Sequence, residues 1–236
     1  MVETEVGKNL KAILNRIELA CKRVSRETSS VTLIGVGKTM PPDRIREAAI
    51  SGLKHLGENY VQEAKTKKAV LKDIGLTWHF IGHLQTNKAK AAVELFDWIQ
   101  TVDRIELAQK LDKASLNLRT EPLPVLIEVN IGKEPTKSGI IPEELRSFYE
   151  TISVFEGILV KGLMVIPPFF ENPEMVRPFF RKTRELLEQL RLFSRTPEQL
   201  TELSMGMSHD FEVAIEEGAT MVRIGTALFG ERKPSQ

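Results

Sequence analysis

A single cysteine, Cys21, stands among 236 residues. That excludes an internal disulfide and a cysteine-based metal cluster and suits a reducing cytosol; Cys21 itself is expected to fill a core position. An excess of either charge is missing too: 33 basic against 32 acidic residues leave a net charge of +1. No bulk field therefore draws the chain to nucleic acid or to an anionic membrane, and any anion has to be bound locally. The lysine-rich "EAKTKKAVLK" is most simply a solvated helix face, because nucleic-acid binding calls for interleaved aromatics or a basic domain. No stretch approaches the ~18 consecutive apolar residues that span a bilayer, and "MVETEVGKNLKAILNRIELACKRV" has no apolar signal-peptide core. A cytoplasmic, unexported protein is expected, with no membrane or nucleic-acid partner. Repeats, low-complexity tracts and linkers are also lacking; "RTEPLP" and "IPPFFENPE" read as loops, and one domain over residues 1–236 is expected.

What is present is an ordinary globular composition, 42% hydrophobic and 28% charged, with enough chain for a sizeable core. Val6, Leu10, Ile13, Leu14, Ile17, Cys21 and Val24 recur at helical spacing, which predicts an amphipathic helix before any strand. From Val31 onward short apolar runs alternate with helical patterns. Eight strand candidates follow in order: "VTLIGVG", "KHLGEN", "WHFIGH", "DWIQTVD", "LPVLIEVN", "LVKGLMVIP", "LTELSMGMS" and "TMVRIG". Eight β/α units in series predict an α/β fold, a (β/α)8 TIM barrel with an additional N-terminal helix. An open doubly wound sheet has the same alternation but usually fewer strands and a glycine fingerprint; "GVGKTM" matches neither G-x-G-x-x-G nor a P-loop.

The functional end of such a barrel lies at the carboxyl ends of its strands. Residues that close the runs are therefore the ones to weigh: Lys38, Asn59, His83, Asp103, Asn130, Met164, the segment Ser204 to Ser208, and Arg223 to Thr226. Lys38 is either an ion-paired lysine or an amine that forms a Schiff base with an aldehyde. Around it, "SMGMSHDF" and "VRIGTALFG" close the last two strands, where such barrels commonly hold phosphate. Gly206 and Gly225 would let backbone N–H groups approach an anion, Ser204, Ser208 and Thr226 offer hydroxyls, and a helix starting near His209 adds its positive end. One loop of this kind is explained by helix capping alone. Two of them, beside a lysine on the first strand, favour a phosphorylated aldehyde as ligand. Arg223, inside an apolar strand, either pairs with a buried carboxylate such as Glu58 or Glu128 or donates to a ring nitrogen. His55, His79, His83 and His209 are scattered without a third ligand at metal spacing, so no metal is expected, and His83 is the histidine expected to line the site.

Read together, "GVGKTMP", "HLGENYVQEAKTK", "WHFIGHLQTNKAK", "TVDRIELAQKL", "EVNIGKEPTKSGIIPEEL", "KGLMVIPP" and "LSMGMSHDFEVAIEEGATMVRIGTALFG" resemble, in order and over nearly the whole chain, the pyridoxal 5'-phosphate homeostasis protein family. The resemblance implies a barrel similar to the N-terminal domain of alanine racemases, with pyridoxal 5'-phosphate bound to Lys38 as an internal aldimine. It places phosphate binding on Ser204, Ser208, Gly225 and Thr226, the pyridine-nitrogen contact on Arg223, and Asn59 and Met164 around the ring; Met207 is also expected in the cofactor site. Thr101, where serine is common, and the middle of "NIGKEPTKSG" depart from the pattern without touching these positions.

An arginine at the pyridine nitrogen leaves the ring a weaker electron sink, and racemization needs a base on each face of the substrate's alpha carbon. Alanine racemases take the second base from an added domain; here the sequence stops at Gln236, soon after the eighth strand, and Tyr60 is the only tyrosine near a strand end. The expectation is a protein of cofactor homeostasis, storing or delivering pyridoxal phosphate to apo-enzymes and keeping the free aldehyde low, without robust catalytic activity and as a monomer. The rival readings are a low-activity racemase and a Schiff-base aldolase acting on a phosphosugar.

Overall fold

The computed structural model describes residues 4–230; the first three and last six residues of the expected domain lie outside them. Eight parallel strands close into a barrel in sequence order, with β8 paired to β1. They are β1 (Thr32–Val36), β2 (His55–Glu58), β3 (Thr77–Phe80), β4 (Trp98–Val102), β5 (Leu123–Val129), β6 (Ile158–Val165), β7 (Glu202–Ser204) and β8 (Met221–Ile224). The TIM barrel expected from the strand count is the observed fold. Around it run α2 (Pro42–Ile50), α3 (Val61–Val70), α4 (Ala89–Leu95), α5 (Ile105–Leu118), α6 (Leu145–Ile152), α7 (Arg177–Phe193), α8 (Phe211–Glu216) and the short α9 (Thr226–Phe229). The predicted first helix is α1 (Glu5–Arg23), whose Thr4 cap accepts the Gly7 N–H and whose last turn carries Lys22 and Arg23, both favourable to the helix ends. It lies against α2, α8 and α9, bound to α8 by Arg16–Glu212 at 2.7 Å and Arg23–Glu216 at 2.6 Å.

Each strand alternates its side chains between two environments. Outward residues such as Leu56, Phe80, Val125, Ile127 and Leu203 join the helices in the main apolar layer. Inward residues Ile34, Leu126, Met164 and Met221 form a small separate cluster inside the barrel, with Trp98 packed against it. Strand β7 is shorter than its apolar run suggested: it has three residues and meets β8 only at Ser204 opposite Met221. The register between β5 and β6 slips at Val125/Leu126, close to Gly162, whose φ of +153° and whose approach to Glu202 leave 1.9 Å for a β-carbon. Only glycine fits there.

Candidate functional site

Ile34, Val36 and Lys38 follow the same inward parity at the end of β1. Lys38, half-buried, lines one small pocket with Val36, Met40, Gly225, Thr226, Phe229 and Gly230. Closure of the barrel makes this possible, because Gly35 stands opposite Ile224 and so β8's exit loop lies beside β1's. The backbone around Lys38 is clamped from outside the barrel. Lys67, 4% exposed, donates to the Gly37 carbonyl at 2.6 Å and to the Glu58 and Glu63 carboxylates at 2.8 and 2.6 Å. Glu63 also accepts the Thr39 N–H at 2.6 Å, and Thr39 adopts φ of +65°. One ion cluster therefore grips the peptide on both sides of Lys38. This corrects the reading of "EAKTKKAVLK" as a wholly solvated face: its Lys67 is the charged centre of a buried cluster. Burial pushes the Glu58 carboxyl up, to about 7, against the pull of Lys67.

Arg223 lies across the barrel interior and is 4% exposed. Its Nη1 donates to Ser204 Oγ at 2.7 Å and its Nη2 to the Val165 carbonyl, at the end of β6, at 2.8 Å. Of the two carboxylates considered for it, Glu58 is excluded, since it faces the helices and belongs to Lys67. Glu128, on the inward face of β5, acts on it only as a charged neighbour. Burial and the nearby Asp103 push Glu128 up to about 7, opposed by Arg223 and Arg104. Burial lowers the Arg223 guanidinium to about 10, opposed by Asp210 and Glu128. Buried oxygens Glu128 Oε2 and Asn59 Oδ1 have no hydrogen-bond partner among the described residues; such atoms are costly unless something else completes them.

The remaining predicted residues separate. Ser208 Oγ accepts the Ala227 N–H at 3.3 Å and so ties the loop after β7 to α9, leaving its hydroxyl proton uncommitted in that bond. Ser204 was expected beside a phosphate, but its hydroxyl accepts from Arg223 and donates to Gln100 Oε1 at 2.6 Å, wholly buried. Gly206 was expected to make room for an anion; its φ of +92° and the 2.6 Å from a β-carbon to Ala214 Cβ show that helix approach demands the glycine. Met207 is half-buried, its N–H held by Asp210 Oδ1 at 2.6 Å, and Met164 is completely buried in the barrel interior. His83 lies on the exposed outer rim, 3.1 Å from Ser138 Oγ and 3.8 Å from Asp103 Oδ2. Asn130 serves its own loop: it accepts the Glu134 N–H and donates to the Glu134 and Lys137 carbonyls. Sequence reasoning missed Gln100, whose only signal was one amide inside the apolar run "WIQTV".

These features suit a phosphorylated aldehyde carrying a ring nitrogen. A lysine shares a pocket with the small-residue exit of β8, an arginine that can only donate lies deeper, and Glu128 Oε2 and Asn59 Oδ1, near the carboxyl ends of β5 and β2, are among the buried atoms without a partner. Comparison with known proteins agrees. The family pattern described as alanine racemase, N-terminal domain matches residues 9–233. The pyridoxal phosphate homeostasis protein of Aquifex aeolicus is 51% identical over 95% of this chain and 97% of its own length. That of Pseudomonas aeruginosa is 42% identical over 96% of each. PipY of Synechococcus elongatus, solved with PLP bound, superposes with a TM-score of 0.80 at 41% identity, covering 92% of this chain and 100% of PipY. Alanine racemase of Corynebacterium glutamicum shares the fold, at a TM-score of 0.68 and 18% identity over 94% of this chain and 62% of that one. With full-length relatives above 40% identity and the expected lysine, arginine and glycine-threonine exit at one barrel end, the chain belongs to the pyridoxal phosphate homeostasis protein family.

Proposed function

We propose that this chain binds pyridoxal 5'-phosphate at the carboxyl end of the barrel and serves its homeostasis, storing it or delivering it to apo-enzymes as a monomer. The observation that carries the reading is the pocket shared by Lys38, Gly225 and Thr226. When bound, pyridoxal phosphate supplies an aldehyde carbon that condenses with a lysine amine, forming a C=N bond with loss of water. In this assignment Lys38 provides the amine, and the Lys67 cluster holds its backbone. Gly225, Thr226 and Ser208 receive the phosphate, and Arg223 donates to the ring nitrogen. Because a guanidinium keeps its proton, Arg223 leaves that nitrogen unprotonated and withholds the electron sink that carbanion chemistry needs. Asn59 and Met164 stand around the ring, and His83 and Met207 at its margin.

The PLP-bound PipY structure, at 41% identity, supports binding of pyridoxal phosphate by this chain. Its test is uptake of pyridoxal phosphate by the wild type and Lys38→Ala, followed by visible absorption, borohydride reduction and peptide mapping. A yellow band whose reduced adduct maps to Lys38, and which Lys38→Ala lacks, is expected. A wild type that takes up none, or an adduct on another lysine, overturns it. Transfer from the loaded protein to an apo-enzyme, without racemization of added amino acids, is expected for a carrier; rapid racemization would make it an enzyme.

A further inference from the structure

The partners of Arg223 do not end at Ser204. Ser204 donates to Gln100 Oε1 at 2.6 Å, Gln100 Nε2 lies 3.1 Å from His79 Nδ1, and His79 Nε2 lies 3.0 Å from His55 Nδ1. Five side chains from β8, β7, β4, β3 and β2 thus form one continuous file, from beneath the carboxyl ends of the strands to His55, the first residue of β2. His79, Gln100 and Ser204 have no measurable exposure.

The direction of every bond in the file follows from its first member. Guanidinium only donates, so Ser204 Oγ accepts and has its own proton to give to Gln100. That turns the Gln100 carbonyl toward Ser204 and its amide N–H toward His79. His79 Nδ1 is then the acceptor and its proton sits on Nε2, where it is given to His55 Nδ1. Burial lowers His79 to about 3, so the ring stays neutral, and the Gln100 amide facing Nδ1 selects this tautomer. Trp98, stacked on it at a centroid distance of 5.8 Å, fixes the ring plane.

We propose that Ser204, Gln100, His79 and His55 are positioning residues, a one-directional hydrogen-bond chain that holds the Arg223 guanidinium in the orientation in which it meets the ligand's ring nitrogen. The proposal rests on the pyridoxal phosphate reading for its ligand but on this chain's own geometry for the file. A set of buried groups that merely satisfy one another would lose stability on an apolar replacement without altering the bound ligand. A positioning chain would not.

The test has two readouts. In the ligand-free protein, imidazole ¹⁵N shifts report the tautomers, and both His55 and His79 are expected to carry the proton on Nε2. Gln100→Leu should release His79 from that state. In the protein loaded with pyridoxal phosphate, Gln100→Leu and Ser204→Ala should shift the visible band and weaken uptake about tenfold, the loss typical of one buried hydrogen bond. Ser204→Thr, which keeps the hydroxyl, should restore both. Should Gln100→Leu fail to fold, Ser204→Ala against Ser204→Thr carries the same comparison. An Nδ1–H His79 in the wild type overturns the direction of the chain. Variants that load, absorb and titrate like the wild type overturn the positioning role. A wild type that takes up no pyridoxal phosphate overturns the cofactor reading instead, and the tautomer measurement still decides whether the file exists.

Discussion

The layer between strands and helices and the space inside the barrel are both buried, yet they are built on opposite terms. Outside the strands, Phe80, Phe96, Phe180 and many aliphatic side chains fill volume, and the main buried charge, Lys67, arrives with two carboxylates and a carbonyl. Inside, Ile34, Leu126, Met164 and Met221 form a small apolar cluster with Trp98 against it, and Glu128 and the file of Arg223, Ser204, Gln100 and His79 share the interior. The first region is stable because it excludes water from apolar surface; the second because each polar group that left water found a partner. Glu128 Oε2, inside the barrel, and Asn59 Oδ1, just past β2, are buried without a partner among the described residues, and so are Glu58 Oε2 and Ser115 Oγ in the outer layer.

The comparison can be broken, most severely, in the outer layer. Phe80→Ala removes a ring that is 1% exposed and packs edge-on to Phe96 at 5.1 Å; a loss of ~3–5 kcal/mol is expected in denaturant unfolding. A loss below 1 kcal/mol would mean that this layer is not close-packed. Lys67→Met strands Glu58 in the same layer and should cost about 3 kcal/mol, whereas Lys67→Met with Glu58→Leu should recover most of it. If the double variant is no better than the single one, the cluster matters for the backbone at Lys38 rather than for charge.

Glu128 sharpens the contrast through pH. Its folded-state value, about 7, lies above the unfolded carboxylate's, so the folded protein binds the extra proton between them. Stability contributed by that proton is complete below about pH 4 and lost as pH rises to about 7. Glu128→Gln should therefore match the wild type in acid and exceed its stability at pH 8 by up to ~3 kcal/mol. Parallel wild-type and variant curves would show that Glu128 has a partner after all. The smallest effect belongs to the periphery: Thr4→Ala deletes the α1 cap and should cost ~1 kcal/mol, with the barrel unchanged by circular dichroism.

The outer layer was legible in the sequence because its rule is local. Helical and strand periodicities mark which residues face inward, and eight apolar runs in order leave few topologies. Lys38, Arg223, Gly225 and Thr226 stood out as polar or small residues where apolar strands stop. The barrel interior was much less legible. His55 and His79 read as scattered, Ser204 as a phosphate ligand and Lys67 as solvated, because what each of them meets comes from a distant part of the chain. A charged residue on a helix looks the same in sequence whether it faces water or a buried glutamate.

Sequence alone determined the order of strands and helices, the apolar surface that drives them together, and the presence of a lysine just past the first strand and an arginine within the last, where charge is costly. Tertiary structure decided the rest. Closure of β8 onto β1 brings Lys38 beside Gly225 and Thr226, and the register of the closed barrel aligns Arg223, Ser204, Gln100, His79 and His55. Periodicity specifies which face a side chain takes, but hydrogen bonds at about 3 Å need its partner, and only the closed barrel supplies that.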